Sequence, residues 1–218
     1  MLTPVNIFGL LLAYLIGSFP SAVWVGRTFY NIDVREFGSG NAGATNTFRV
    51  LGKRAGIPVL LMDVFKGFLA VKLAYVIGDY NAESPEFIDF ELALGVCALF
   101  GHIFPVYVGF RGGKGVATML GILIAIHWQA ALICVLVFLI TLFISGYVSL
   151  SSMMSGITFP VIIMVFYSTN SSINIFSLVV AIMVLVTHQR NIERLIKKEE
   201  GIVKWHWRFR KQEPPDVQ

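Results

Sequence analysis

The longest uncharged stretch of the chain is residues 116–189, VATMLGILIAIHWQAALICVLVFLITLFISGYVSLSSMMSGITFPVIIMVFYSTNSSINIFSLVVAIMVLVTHQ. It contains no Asp, Glu, Lys or Arg in 74 residues, whereas one membrane-spanning helix needs about 20 apolar residues. The whole chain has 218 residues, of which 56% are hydrophobic and only 14% charged. Soluble domains carry about 25% charged residues, so the composition predicts a single all-α, polytopic membrane domain without a separate soluble domain.

The charges outside this stretch predict the membrane topology. Residues 27–54 hold five basic and two acidic side chains, and residues 79–91 hold five acidic and no basic ones. By the positive-inside rule, the first loop is cytoplasmic and the second lies outside. Residues 111–115 and the tail from Arg190 are basic again, so the uncharged stretch begins and ends inside and crosses an even number of times. Four crossings of about 18 to 19 residues fit the bilayer, whereas two of about 37 residues do not.

The prediction is therefore seven transmembrane helices, with the N-terminus outside and the C-terminus in the cytoplasm. Their approximate bounds are 5–25, 55–78, 92–110, 114–127, 129–147, 152–168 and 173–189. Residues 1–26 carry no charge and lack the leader and cleavage site of a signal peptide, which favours a retained first span. Cys97 and Cys134 lie in apolar runs and indicate neither a disulfide nor a metal site. The tail with Trp205 and Trp207 suits the headgroup zone.

Three polar stretches face the cytoplasm in this topology, and two of them are marked by glycines. In the first, residues 38–46, glycine alternates with small polar residues, so that backbone N–H groups could form an anion-binding nest. An ordinary polar loop is the alternative. Arg49 follows at a distance that would allow a bidentate phosphate contact. The candidate phosphate-binding residues of this stretch are Ser39, Gly40, Asn41, Gly43, Thr45 and Asn46.

The second stretch, Arg111-Gly112-Gly113-Lys114-Gly115, differs from a nucleotide-binding P-loop. Val108 stands where that motif requires glycine, and Gly115 stands where Ser or Thr would bind magnesium. A nucleoside triphosphatase is therefore excluded. What remains is a tight basic turn before a helix, whose N-terminus favours an anion. Membrane anchoring alone would explain the two basic side chains but not the three glycines.

The third stretch contains His188 and Asn191, which would share one face if the last helix continued past the membrane. His188 could donate to a phosphate or act as a general base, and a structural role is the alternative. Ser149 and Ser152, also three residues apart, could bind the same anion or satisfy backbone carbonyls.

Two ionisable groups lie within the second predicted span. Asp63 and Lys66 are expected to face inward and to pair, because unpaired charges are costly in a bilayer. A neutralised structural pair and a direct substrate role for Lys66 both remain open. His102 is expected to hydrogen-bond another helix, and His127 falls on the outer side, away from the site.

Together these stretches resemble the motifs of one family, the bacterial acyl-phosphate:glycerol-3-phosphate acyltransferases, or PlsY family. The resemblance rests on residues 38–46 with Arg49, on residues 101–105 leading into residues 110–118, and on residues 188–195. The Asp63-Val64-Phe65-Lys66-Gly67 run is similar to that family's second-helix motif. The resemblance covers nearly the whole chain in order and spacing. The alignment after Leu195 is loose, and no role is assigned there.

The resemblance implies a seven-helix enzyme of the bacterial cytoplasmic (inner) membrane, with its site facing the cytoplasm. It would transfer a fatty acyl group from acyl phosphate to the 1-hydroxyl of sn-glycerol 3-phosphate, giving lysophosphatidic acid and phosphate, the first step of phospholipid synthesis. Membrane lipids and a contact with the enzyme that makes acyl phosphate are the implied partners, with no nucleic acid, cofactor or metal. The family's essential residues match Ser39, Arg49, His188 and Asn191, its glycerol-phosphate loop matches residues 112–115 with Lys114, and its later serine matches Ser152, with Ser149 as the alternative.

Two other classes of protein compete with this interpretation. A transporter for an anionic solute would explain the helices, the basic loops and the Asp63–Lys66 pair. Transporters often show internal repeats and broken helices near the midplane, whereas this sequence shows no repeat. A structural subunit would explain the helices but not three phosphate-like loops. The sequence also lacks the His-x4-Asp pattern of acyl-CoA-dependent acyltransferases, because no histidine has an aspartate five positions on.

Overall fold

A computed structural model describes residues 3–78, 80–82, 84–167 and 171–203. Its regular structure in these ranges is helical, which confirms the predicted all-α class. The expectation for Trp205 and Trp207 lies outside the described residues. The α-helices are α1 (Pro4–Ser18), α2 (Ser21–Tyr30), α3 (Ala44–Leu51), α4 (Lys53–Lys72), α5 (Ala74–Ile77), α6 (Pro85–Ile103), α7 (Val116–Ser145), α8 (Val148–Phe166), α9 (Ser171–Thr187) and α10 (Gln189–Ile196), with 3-10 turns at Val34–Glu36 and Val106–Val108.

Three segments are long and apolar enough to cross a membrane by length and composition, namely Pro85–Val108, Val116–Ser145 and Val148–Phe166. The number rises to five if each of two bent helix pairs, α1 with α2 and α9 with α10, is one span. Helix α4 does not qualify, because Asp63, Lys66 and Lys72 interrupt its apolar sequence. The protein is therefore a membrane protein with at least three candidate spans.

Several helix bounds differ from the predicted ones for local chemical reasons. The first predicted span, 5–25, is two helices bent by 41° at Phe19 and Pro20, where proline interrupts the hydrogen-bond ladder. The third begins at Pro85 rather than near 92, because Ser84 caps it by accepting a 3.2 Å bond from the Phe87 N–H. The condition for His188 and Asn191 to share one face of a continuous last helix is not met. Helix α9 ends at Thr187, and α10 leaves at 57°.

Helix α7 is broken near its middle and reverses its direction there. A straight helix of 30 residues would separate its ends by about 45 Å. The residues that flank α7 are nevertheless close together. Lys114, before the helix, bonds Asn191, and Ser149, after it, bonds Glu200, which itself bonds Asn191. The reversal is at His127, whose φ of −151° and ψ of 80° are not helical. The sequence therefore placed a break correctly between residues 127 and 129.

The other helices pack around this hairpin. Helix α4 packs against α7, α1 against α6, and α8 against both α7 and α9. Glycines allow the closest approaches, since a side chain at Gly67 would strike the Thr118 carbonyl and one at Gly121 would strike the Val64 carbonyl. The largest buried cluster joins α6, α7, α8 and α9. The polar stretches identified in the sequence lie together at one end of this bundle, and the ring of Tyr167 meets that of His127 at the other end, 3.9 Å between centroids.

Candidate active site

The first polar stretch forms a tight loop between the 3-10 turn Val34–Glu36 and helix α3. Gly38 and Gly40 have φ of +62° and +72°, a left-handed conformation that favours glycine. The Ser39 backbone N–H and hydroxyl both donate to Asn46 Oδ1, at 2.9 and 3.1 Å. The alternation of glycine and small polar residues therefore forms a closed turn that presents Ser39, as the sequence predicts for an anion-binding loop.

Asn46 stabilises this loop from within. Its side-chain amide donates to the backbone carbonyls of Val34 and Phe37, at 2.7 and 3.1 Å, and the residue is only 2% exposed. Its hydrogen-bonding capacity is therefore used by the loop itself. Asn41, Gly43 and Thr45 lie at the accessible rim of the loop, where their groups remain open to a ligand.

An ion pair that the sequence reasoning did not single out connects the first loop to the second. The guanidinium of Arg35 lies 2.7 Å from Asp33 Oδ2 and lowers the pKa of that carboxyl to about 2. The same guanidinium donates to the carbonyls of Val108, at 2.8 Å, and Arg111, at 3.4 Å. Asp33 therefore orients Arg35, and Arg35 holds the two loops side by side.

The second loop lies against the end of helix α6. The Gly112 and Gly113 N–H groups donate to the carbonyls of Ile103 and His102, each at 3.2 Å. Gly113 has no room for a side chain, because a Cβ there would overlap the His102 ring and approach the Ala42 carbonyl of the first loop to 3.1 Å. Gly115 has a φ of +83° and starts α7. These contacts aim Lys114 away from α6.

Lys114 joins the second and third stretches. Its Nζ donates to Asn191 Oδ1, and the Asn191 amide donates to Glu200 Oε1 at 2.6 Å. Glu200 also accepts from Ser149 Oγ at 2.8 Å and from Arg194 Nε at 2.9 Å. The result is one continuous polar network of Lys114, Asn191, Glu200, Ser149 and Arg194, hereafter the Lys114 network.

The charges of the Lys114 network affect one another. Burial lowers the pKa of Lys114 to about 8, an effect that Glu200 opposes and that Arg194 and Arg49 reinforce. Partial burial alone would raise the pKa of Glu200, but hydrogen bonds from Asn191, Ser149 and Arg194 hold it below its usual value. Lys114 is therefore a cation that loses its charge more readily than an ordinary lysine.

His188 occupies the bend between α9 and α10 and is 2% exposed. Its Nδ1 lies 2.7 Å from the Val184 carbonyl, which can only accept, so Nδ1 carries the proton. In the neutral ring, Nε2 is then the free acceptor. This arrangement suits a general base, and it fixes the ring orientation through the backbone.

Arg49 and the two candidate serines differ in how they meet the site. The Arg49 guanidinium lies beside Gly201, next to Glu200, and within the described ranges it makes no hydrogen bond or ion pair. Ser149 belongs to the Lys114 network, whereas Ser152 donates to the Val148 carbonyl of its own helix at 2.9 Å. The geometry therefore favours Ser149 as the site serine, whereas the family resemblance matched Ser152 better and left Ser149 as the alternative.

Asp63 and Lys66 pair as expected, with 2.9 Å between Lys66 Nζ and Asp63 Oδ1. His102 Nδ1 faces the same Asp63 oxygen on α4 at 3.6 Å, a contact between two helices that is longer than the hydrogen bond predicted from the sequence. His127 lies at the opposite end of the bundle against Tyr167. The pair therefore lies beneath the loops rather than in the Lys114 network.

The sequence reasoning missed Glu200, Asp33 and Arg35. Glu200 lies in a run of mixed charges that is typical of a solvated tail. Its partners Ser149 and Asn191 are 51 and 9 residues away in the sequence. Asp33 and Arg35 could have been noticed as an aspartate before a short turn, since Asp33 also caps that turn by accepting the Arg35 N–H at 3.0 Å.

The chain is similar to known proteins of one family over most of its length. Residues 7–198 match the family model described as glycerol-3-phosphate acyltransferase. The glycerol-3-phosphate acyltransferase of Staphylococcus carnosus is 41% identical over 197 residues, covering 90% of this chain and 96% of that protein. That of Enterococcus faecalis is 42% identical over 210 residues, covering 93% and 94% of the two chains.

Two crystal structures share the fold. One is PlsY, an integral membrane glycerol 3-phosphate acyltransferase, in its glycerol 3-phosphate form, with a TM-score of 0.82, 33% identity and coverage of 91% of this chain and 96% of that one. The other is the lysophosphatidic acid form, with a TM-score of 0.78 and the same identity. With this likeness in sequence and in fold, the chain belongs to the glycerol-3-phosphate acyltransferase family of PlsY type.

Proposed function

We propose that this protein transfers a fatty acyl group from acyl phosphate to the 1-hydroxyl of sn-glycerol 3-phosphate. The products are lysophosphatidic acid and inorganic phosphate. The observation that carries the proposal is the meeting of two glycine loops, the cations Arg49 and Lys114, and the buried His188 at one end of an apolar helix bundle. Two phosphate-bearing substrates require two cationic binding loops, and an acyl chain requires a site next to lipid.

The two phosphates are assigned to different loops. The Ser39 loop and Arg49 would hold one of them, and Lys114, on the loop of Gly112, Gly113 and Gly115, would hold the other. Lys114 would exchange its bond to Asn191 for the phosphate, while Ser149 and Asn191 stay oriented by Glu200. Charge-assisted bonds of this kind contribute about 1.5–3 kcal/mol each.

In the reaction, the C1 hydroxyl oxygen attacks the acyl carbonyl carbon, and the bond from that carbon to the phosphate oxygen breaks. The phosphate leaves with the bonding electron pair, and the hydroxyl proton goes to a base. His188 Nε2 is one candidate base because Nδ1 carries its proton; the substrate phosphate, with a second pKa near 6, is the other. Because acyl phosphate is already activated, the protein contributes mainly positioning and charge stabilisation.

We further propose seven crossings, with the N-terminus outside and the site facing the cytoplasm. The path of α7 supports this count: its two halves, on either side of His127, add one crossing each to those of α1, α4, α6, α8 and α9. The basic loops gather at one end of the bundle, which suits the cytoplasmic face of a bacterial inner membrane. An exposed basic end there could also receive acyl phosphate from the enzyme that makes it.

The proposal is tested with the purified protein in lipid nanodiscs. Phosphate release from palmitoyl phosphate is measured with and without glycerol 3-phosphate, for the wild type, Ser39→Ala and Ser155→Ala. Ser155 is the control because it donates to the Cys134 carbonyl inside the bundle, away from the loops. We expect release that depends on glycerol 3-phosphate in the wild type and Ser155→Ala, and none in Ser39→Ala. A folded wild type that releases no phosphate with several chain lengths would favour a transporter instead.

A further inference from the structure

A buried group of charged and polar side chains lies beneath the second loop, hereafter the Asp63 cluster. Asp63 Oδ1 accepts a 2.9 Å bond from Ser21 Oγ, pairs with Lys66 at 2.9 Å, and faces His102 Nδ1 at 3.6 Å. Asp63, Lys66 and His102 are at most 6% exposed. These four residues come from α2, α4 and α6, so the cluster joins three segments that are distant in sequence.

Lys66 also stabilises the break between α1 and α2. Its Nζ donates to the Phe19 carbonyl at 2.8 Å, next to Pro20, where the helix hydrogen bonds are interrupted. One ammonium group therefore binds a carboxylate on its own helix and a carbonyl on another segment. Through these two bonds Lys66 holds α4 against the α1–α2 bend, a role that goes beyond neutralising the charge of Asp63.

The cluster continues directly into the phosphate loop through His102. The Nδ1 edge of the ring faces Asp63, and the Nε2 edge lies against Gly113, where no side chain would fit. The His102 carbonyl accepts the Gly113 N–H, and the neighbouring Ile103 carbonyl accepts the Gly112 N–H. A small cavity between the cluster and the loop is lined by Lys66, His102, Ala42 and Gly112, among others. Any shift of His102 would therefore displace Gly112 and Gly113, and with them Lys114.

A second lysine of α4, Lys72, pairs with an acid of α6, Glu91, and this pair can be compared with Asp63 and Lys66. Lys72 lies 3.5 Å from Glu91 and donates to the Ala125 carbonyl at 3.0 Å, near the His127 end of the bundle. It has the same chemistry but no contact with either glycine loop. If pairing only neutralised charge, the two pairs would be equivalent for the reaction.

We propose that Asp63, Lys66 and His102 are positioning residues, which hold the Gly112–Gly113 backbone so that Lys114 meets the substrate phosphate. The inference rests on the proposed acyl transfer for its kinetic consequence, but its structural consequence is independent of it. It is an alternative to the direct substrate role of Lys66 that the sequence left open, and it rests on the bonds from the Lys66 ammonium to Asp63 and to the Phe19 carbonyl.

The test compares two double variants that neutralise one pair each. Asp63→Asn with Lys66→Met removes the cluster charges, and Lys72→Met with Glu91→Gln is the matched control. For each protein we would measure the unfolding midpoint, kcat, the KM for glycerol 3-phosphate, and amide hydrogen exchange of the peptide over residues 109–117. His102→Asn, which removes no charge pair and leaves the Nε2 edge empty, is measured alongside.

We expect similar unfolding midpoints for the two double variants, but a KM raised about tenfold or more only in Asp63→Asn/Lys66→Met and His102→Asn. The Gly112 and Gly113 amides should exchange about tenfold faster in these two proteins and at the wild-type rate in the control. If Asp63→Asn/Lys66→Met does not fold, the His102→Asn data decide.

Wild-type KM and wild-type exchange in a folded Asp63→Asn/Lys66→Met or His102→Asn protein would overturn the proposal and leave a neutralised pair. The single variants Lys66→Met and Asp63→Asn provide a further check. A loss of activity in the first with none in the second would instead indicate direct substrate contact by Lys66. If the wild type itself shows no acyl transfer, the proposed function fails, while the exchange data still support or overturn the positioning role.

Discussion

The two glycine loops of the site are stabilised in different ways. The first loop closes on itself, because Ser39 bonds Asn46, and Asn46 bonds carbonyls at most twelve residues away. The second has its backbone bonded to the end of α6 and its lysine bonded to Asn191, 77 residues further along the chain. The first is thus a local structure that its own sequence specifies, whereas the second depends on the assembled bundle.

The largest effect should come from the long-range loop. Lys114→Met removes the cation of the second loop, so we expect kcat/KM for glycerol 3-phosphate to fall about 100-fold, corresponding to roughly 3 kcal/mol. Steady-state kinetics in nanodiscs measure it. The matched control is Arg111→Ala, which removes an exposed positive charge three residues earlier and should change kcat/KM less than about threefold. Equal losses in both variants would mean that only the net charge of the loop matters.

The local loop should respond to Asn46→Ala through both stability and activity. The substitution leaves the Ser39 N–H and hydroxyl without their acceptor, and a donor that stays buried and unpaired costs about 1–3 kcal/mol. It also removes one bond each from the Val34 and Phe37 carbonyls, which keep the bonds that they accept from the Phe37 and Gly40 N–H groups. We expect a lower unfolding midpoint and a roughly 30-fold loss of kcat/KM. Asn46→Asp keeps the acceptor for Ser39 but places a carboxylate oxygen against the Val34 and Phe37 carbonyls and adds a buried negative charge, so its loss should be at least as large. A loss of activity with an unchanged midpoint would show that Asn46 binds phosphate directly.

The pH profile should distinguish the loops, because only the second depends on a cation that titrates near neutrality. Lys114 is protonated below its pKa of about 8 and neutral above it, so binding of the phosphate weakens as pH rises through about 8. We expect kcat/KM to fall about tenfold per pH unit above that value. Glycerol 3-phosphate stays a dianion there.

Two variants sharpen this pH prediction. Lys114→Arg should remove the inflection, since arginine stays protonated. Glu200→Gln should move the inflection to lower pH, because Glu200 raises the pKa of Lys114. Glu199→Gln, which changes the neighbouring exposed carboxylate, should shift it little. A profile that is flat to pH 9 in the wild type would rule out Lys114 as the titrating group.

The smallest effect should separate the two serines. Ser149→Ala removes a donor to Glu200, so we expect about a fivefold loss of kcat/KM, close to 1 kcal/mol. Ser152→Ala removes only a bond to its own helix and should have a smaller effect. The two variants compared in one assay decide which serine serves the site, and a larger loss in Ser152→Ala would reverse the assignment.

The difference between a locally bonded loop and one that depends on distant residues also explains which features could be predicted from the sequence. The glycines and small polar residues of the first loop specify its geometry locally, so residues 38–46 could be identified as a candidate loop once the other two polar stretches were placed on the same face. The apolar run of residues 116–189 likewise specified helices and a break near His127. Glu200 could not be assigned, because its role depends on the fold bringing Ser149, Asn191 and Arg194 around it. The bend at His188 also escaped prediction, because no proline or glycine marks it.

The reversal of α7 at His127 has a consequence for how the protein enters the membrane. Neither half of that hairpin contains a charged residue, and its turn is His127-Trp128-Gln129 rather than a charged loop. No ionised group therefore has to cross the hydrocarbon when the hairpin is inserted, and its two halves can leave the translocation machinery as a unit. In the proposed topology, insertion of this hairpin brings Lys114 and Ser149 to the same side of the bilayer before α9 and Asn191 have been made.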